Sequence, residues 1–275
     1  MEVLEIHEVD QIFQTKYRLF LKWLDPRIKF FNLKTNDKLN TLVPKERGQI
    51  WVPSIIFWNT EEHEASVNDR KAQAGVSRRS NFTRSTMDEV ENIYKFDGSE
   101  NPLTLQRVYK TAWICNYDMK WYPFDTQRCS LTFTVAGMSK EFVRLIANDH
   151  EYLGPKELSQ YFIRGSRIHL TNLNNGDSAA VLDITLGRRL LATFLTVFLP
   201  TILLNVIGHT TNFFKNFFFE AAVTVNLTVM LVLATLFISV SNSLPQTSYI
   251  KMVDVWLIVN LFVPFIEVIL RTWKV

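Results

Sequence analysis

C-N-Y-D-M-K-W-Y-P-F-D-T-Q-R-C, residues Cys115 to Cys129, holds the only two cysteines of the chain, with thirteen residues between them. In a chain that also carries apolar stretches of membrane-spanning length, two cysteines so placed predict one disulfide, made in an oxidising compartment. Closing a loop of this size removes unfolded-state freedom worth about 3 kcal/mol in the chain-entropy account. Spacing alone leaves a plain structural staple as an equal reading. The interior of the loop asks for more. Trp121-Tyr122-Pro123-Phe124-Asp125 sets a large apolar wedge around a proline-fixed turn at the tip, which a staple does not need.

Outward from this loop the 275 residues divide by composition. The first two-thirds are charged and mixed, whereas charges almost vanish after Leu190. A water-soluble part therefore precedes a membrane part. The net charge of +3 is too small and too dispersed for a nucleic-acid partner. No apolar signal peptide precedes the soluble part, so the sequence reads as a mature or truncated form of a secretory-pathway protein.

In the soluble part, Ile12 to Ile28 alternates loosely and ends in Trp23-Leu24-Asp25-Pro26-Arg27. A second apolar run, Ile50 to Trp58, contains Trp51-Val52-Pro53-Ser54. Residues 61–84 are polar and predict turns and exposed loops, with a glycosylation sequon at Asn81-Phe82-Thr83. Further strands are expected at Leu103–Ile114, Cys129–Ala136, Phe142–Ile146, Tyr161–Leu170 and Ala180–Leu186. Short strands at such intervals predict an antiparallel sandwich, and no stretch here predicts a large helix. The five histidines share no ligand spacing, so no metal and no cofactor are expected. No acid–base set, phosphate loop or nucleophile motif is present, which argues against an enzyme.

Leu190 to Phe214, Ala221 to Ile250 and Val255 to Ile266 predict three spans, the first containing Pro200 and the third bounded by Asp254 and Glu267. Arg188 and Arg189 precede the first span, on the side where the disulfide belongs outside the cell, while Lys215, Arg271 and Lys274 fall inside. The second span carries Thr224, Thr228, Leu231, Thr235, Ile238 and Asn242 at spacings of 4, 3, 4, 3 and 4, one stripe along a helix. Facing a water-filled axis, such a row solvates ions at successive levels. The competing reading is that the threonines bond back to their own helix or pack against neighbouring spans. Glu220, one turn before Thr224 and favoured by the helix N-terminus, weighs for the axis.

With W-Y-P-F-D-x-Q-x-C in the loop, the chain resembles the Cys-loop receptors, the pentameric ligand-gated ion channels. W-x-D-x-R at Trp23 to Arg27 looks like a segment of that family, as does Trp51-Val52-Pro53, although Ser54 stands where Asp is usual. Phe219-Glu220-Ala221-Ala222-Val223-Thr224, Leu244-Pro245-x-Thr247-x-Tyr249 and Phe265-Ile266-Glu267-Val268 extend the likeness, particularly to bacterial proton-gated members. The fold implied is an extracellular, immunoglobulin-like antiparallel β-sandwich of ten strands or so over residues 1–187. A transmembrane helical pore domain over 188–275 follows it. Ile6 to Asp10 matches the turn between the first two strands of the family. The family's N-terminal helix, fourth span and intracellular linker have no counterpart here, which reads as truncation.

The resemblance implies a homopentamer in the plasma membrane, multi-pass with its N-terminal domain outside. Its partners would be the lipid bilayer, a small extracellular ligand and permeant monovalent cations. Glu8, Pro123, Phe124, Asp125, Arg189 and Pro245 are expected to couple ligand to pore, with Arg189 pairing Glu8 or Asp125. Cation selectivity is expected because Glu220-Ala221-Ala222 stands where anion-selective relatives carry Pro-Ala-Arg. Leu231 falls at the family's mid-pore ring. Trp58 occupies an aromatic-cage position of the inter-subunit ligand site, but Ala136 and Val181 replace two further rings and Arg18 a third, with Gln106 and Tyr161 nearby. Either Arg18 only pairs with a neighbouring carboxylate, or such a site should refuse acetylcholine, accept an anionic or zwitterionic head group, and be roomier and more apolar than its relatives'. Two rival classes are a membrane-anchored adhesion or binding protein, which leaves the stripe and Glu220 unexplained, and a membrane enzyme, which lacks an acid–base or nucleophile set.

Overall fold

Alternation of covered and exposed residues decides most of the first 188 positions in the computed structural model. It describes residues 1–60, 66–67, 72–81, 94–136, 141, 143–148, 150–173, 176–214 and 216–274. Among them, eleven strands precede three long helices. β1 (Glu2–His7), β2 (Ile12–Trp23) and β8 (Leu103–Ile114) pair antiparallel, with β5 (Ser66–Val67) and β6 (Gln73–Val76) on β8. The second sheet runs β10 (Tyr161–Asn172), β11 (Ser178–Arg188), β9 (Thr126–Val135), β4 (Ile55–Phe57). β3 (Lys29–Phe31) and β7 (Lys95–Asp97) form a separate pair.

The inward residues of the two large sheets make the core. Phe13 and Trp113 are fully covered, the rings of Tyr17 and Tyr109 stack 5.6 Å apart, and Leu131, Ile184 and Leu186 face them. The Trp113 indole donates to Thr15 Oγ1 at 2.8 Å, so the deepest ring leaves no unmade bond. Cys115, just past β8, is joined to Cys129 of β9 in the other sheet, with their Cα atoms 5.3 Å apart.

Three expectations for the strands change. No strand forms over 143–148, where the Phe142–Ile146 strand was expected, and Phe142 lies outside the described residues. Apolar content without a paired neighbour does not make a strand. Within the segment read as turns and loops, β5 and β6 add to the β8 edge. Within the apolar run Ile50–Trp58 the strand is confined to β4, with single backbone bonds from Trp58 to Thr132 and from Ala136 to Ser54 at its two ends. Asn81 is exposed; the remainder of its sequon lies outside the described residues.

Leu190–Phe213, Phe219–Ser243 and Met252–Trp273 are long and apolar enough to cross a membrane. The first widens into a π-turn over Phe194–Phe198, just before Pro200, whose missing N–H leaves the preceding turn without its regular bond. The third does not stop at Glu267, as its charge suggested, but continues to Lys274 with Glu267 covered inside the bundle.

Candidate functional site

Two arrangements carry chemistry, one where sandwich meets helices and one along the second membrane helix. The first is built on a buried arginine at the end of β11. Along β11 the even-numbered Leu182, Ile184 and Leu186 point into the core, and the same period carries Arg188 inward. Its guanidinium reaches Asp125 Oδ1 at 2.6 Å through Nε and Glu8 Oε1 at 2.7 Å through Nη1. The rings of Tyr122 and Tyr161 lie over the guanidinium at 4.5 and 4.6 Å. Burial works against this charge, yet the hydrogen bonds Arg188 donates to Asp125 and Glu8 outweigh it and raise the Arg188 pKa. Burial likewise raises the Tyr161 and Tyr117 hydroxyls.

Arg189 does not take this part. It turns outward, half-exposed, to the Leu158 carbonyl at 3.2 Å and Glu157 at 3.5 Å. The expected pair with Glu8 or Asp125 therefore belongs to Arg188, one residue earlier. Strand periodicity, followed to the end of β11, was the signal that could have found it.

Asp125 also accepts from Gln127, whose side chain holds Asp118 on the opposite arm of the loop. The disulfide loop is thus fixed from within, and its tip reaches the helices. Phe124 lies 6.5 Å from Phe198 of the first helix, which lies 5.1 Å from Trp256 of the third. Tyr122 packs against Val197, Leu244 and Val253. The linker between second and third helices closes the junction: Met119 N–H donates to Tyr249 Oη at 2.9 Å and Met252 N–H to the Lys120 carbonyl at 2.9 Å. Pro245 is buried in this linker. Glu8, Asp125 and Phe124 therefore meet at one junction, and Tyr122, Met119 and Tyr249 join them without having been singled out.

The second arrangement is the stripe. Glu220, Thr224, Thr228, Leu231, Thr235, Ile238 and Asn242 are all exposed in the single chain. Ala222, Asn226, Val229 and Leu233 are buried on the reverse face. The three threonines do bond back, to the carbonyls of Glu220, Val225 and Val232 at 2.7–2.8 Å. That bond uses only the hydroxyl proton, and each oxygen keeps its lone pairs on the open side.

The candidate ligand residues separate within one chain. Arg18 and Gln106 lie on the outward face of the five-stranded sheet, with the exposed Phe20 directly across from Gln106. Trp58, 47% exposed, follows β4 at the edge of the other sheet, and Ala136, just past β9, donates its N–H to the Ser54 carbonyl. Val181 is nearly covered, in register with Thr132 and His169. Tyr161 is 1% exposed beneath Arg188, so it faces the core and cannot meet an outside ligand.

A family model described as the neurotransmitter-gated ion-channel ligand binding domain matches residues 1–180. The human gamma-aminobutyric acid receptor subunit rho-3 is 27% identical over 272 residues, covering 96% of this chain and 54% of the relative. Rho-2 from Bos taurus gives the same identity and coverage, and human rho-1 is 26% identical with 52% of its length covered. The chain spans about half the length of the curated relatives it matches.

Proposed function

Because the chain belongs to the neurotransmitter-gated ion-channel family, whose members are multi-pass plasma-membrane receptors with an extracellular N-terminal domain rather than enzymes, we propose that it is one subunit of a pentameric channel. Residues 1–187 form the ligand-binding domain and 188–275 the pore domain. A small extracellular ligand binds one arrangement of the sandwiches better, and the pore population shifts with it.

The observation that carries this reading is the two-faced second helix. Its buried face is already used against the chain's own helices, so the exposed row from Glu220 to Asn242 needs an aqueous surface of its own. Five copies around an axis supply it. Glu220, in the first turn, then forms a ring of carboxylates at the cytoplasmic mouth, and threonine oxygens follow above it. The current is therefore carried by monovalent cations. The relatives, named as gamma-aminobutyric acid receptor subunits, lend that sign no support; it rests on Glu220 in this chain.

The ligand site forms between copies, Arg18 and Gln106 of one facing Trp58 and Ala136 of the next. An exposed guanidinium suits a carboxylate, and gamma-aminobutyric acid, in the relatives' names, carries one beside an ammonium. The ligand class is thus a small zwitterion or anion, not acetylcholine. Current recorded from the full-length protein under each ligand tests this. A zwitterion response whose half-maximal concentration rises about tenfold or more in Arg18→Ala supports it, since a charge-assisted bond contributes about 1.5–3 kcal/mol. Acetylcholine-evoked current abolished by Trp58→Ala contradicts it.

A further inference from the structure

Between the three membrane helices, in the half that carries Glu220, two buried oxygens lie beside one glycine without a donor. Asn226, 1% exposed on the reverse face of the second helix, and Glu267, 9% exposed on the third, each keep one oxygen, Oδ1 and Oε2, without a hydrogen-bond partner. Both converge on Gly208 of the first helix. A Cβ built there would stand 2.8 Å from Asn226 Oδ1 and 3.5 Å from Glu267 Oε2.

The orientation of the amide follows from its other bonds. Asn226 Nδ2 donates to the Ala222 carbonyl at 3.2 Å and to Thr211 Oγ1 at 2.9 Å. The Thr211 hydroxyl gives its own proton to the Gly208 carbonyl at 2.7 Å. Turning the amide over would press its oxygen against the Ala222 carbonyl and take the Thr211 proton from Gly208. Oδ1 therefore belongs on the Glu267 side. With Glu267 as a carboxylate, both unpartnered oxygens beside Gly208 are acceptors, and the amide protons of Asn226 are already given to Ala222 and Thr211.

We propose that Glu267 and Asn226 form a proton-binding site, in which a proton taken from solvent onto Glu267 Oε2 is donated to Asn226 Oδ1 and ties the third helix to the second. The other carboxylate oxygen, Oε1, lies 3.0 Å from Nδ1 of His209, an exposed ring on the first helix that gives the proton a route from outside the bundle. Arg271, one turn beyond Glu267, directs its nitrogens to the carbonyls of Thr211 and Phe214. Among the described charged and amide side chains of the second helix, Asn226 is the one beside Gly208, and Glu220 is exposed on another face. Intramembrane carboxylates are rare and paired, and here the pairing is completed by a proton. On the reading of the second helix as the pore lining, loss of this proton frees the turn behind Glu220 and Thr224.

Infrared spectroscopy of the full-length protein in membranes, stepped through pH, reads the site without needing current. The expected result is a protonated-carboxyl stretch that Glu267→Gln removes and that Asn226→Ala moves to higher frequency, its acceptor having gone. If no such band belongs to Glu267 at any pH, the site is ionised, bridged by water or paired with His209, and the proposal is overturned. A band indifferent to Asn226→Ala overturns it too, and that variant keeps Glu267 should the glutamine protein not fold. In current recordings, Glu267→Gln offers Asn226 an N–H donor at every pH, so its response to cytoplasmic pH should flatten. An unchanged pH response overturns the link to the pore. Absence of any current counts against the channel reading, while the spectrum still decides the proton site.

Discussion

Arg188 and Arg189 are neighbours of identical chemistry with opposite surroundings. Removing Arg188 leaves Glu8 and Asp125 buried without a counter-charge, and breaking a buried pair costs about 3–5 kcal/mol. Arg188→Ala should therefore lower the unfolding midpoint sharply, or prevent folding. Arg189→Ala, which loses only an exposed contact to Glu157, should cost less than about 1 kcal/mol. Denaturant unfolding of the two variants checks the pair; equal losses would mean that the junction is not centred on Arg188. The pH dependence has a definite sign. A raised folded-state pKa gives stability that is complete below the ordinary arginine value and lost only as pH climbs through the raised one. The Arg188 contribution should accordingly be flat through the neutral range. Glu8, Asp125 and the wedge around Pro123 were legible in the motif, but the arginine was placed by resemblance, one residue late. The alternation of Leu182, Ile184 and Leu186 was the better guide.

Elements were legible where one period ran long and lost where pairing made the decision. β8 lies at the expected Leu103–Ile114, because twelve alternating residues specify one inward face. The 143–148 stretch shows no pairing, and β6 is too short and too mixed to announce itself. Position Gly98, just past β7, is set by close approach rather than by backbone freedom. An added Cβ would run into the Asp25 carbonyl oxygen and lie 2.7 Å from that of Ile28. Gly98→Ala should cost about 1–3 kcal/mol, the usual range for overpacking, read as a lowered unfolding midpoint. On the second helix, Leu231 is exposed between Thr228 and Thr235 in the row proposed to face water. A ring of leucines gates by excluding water. Leu231→Thr should then leave the channel easier to open or partly open at rest, and a variant that closes as firmly as the parent at the same stimulus moves the gate elsewhere.

At the scale of the molecule, the soluble and apolar parts were plain in composition, and all three helices fall where charge disappears. What composition could not convey was how the parts are joined. The disulfide loop does not end at its own tip but is hydrogen-bonded into the linker between the second and third helices. Tyr249→Phe would strip the acceptor from the Met119 amide of a fully covered residue, a loss of about 1–3 kcal/mol at the junction. If this junction transmits the signal, that variant should bind ligand with little change yet need more of it to open. Unaltered opening would show that the bond only holds the two halves together. In the proposed pentamer the ion sign is likewise a property of the assembly, since one Glu220 is an exposed side chain and five would be a field at a mouth. The most direct measurement is the reversal potential of the ligand-evoked current when bath sodium chloride is diluted. A shift towards the sodium equilibrium potential, reduced in Glu220→Gln, is the predicted result; a reversal potential that follows chloride and ignores sodium would contradict the account.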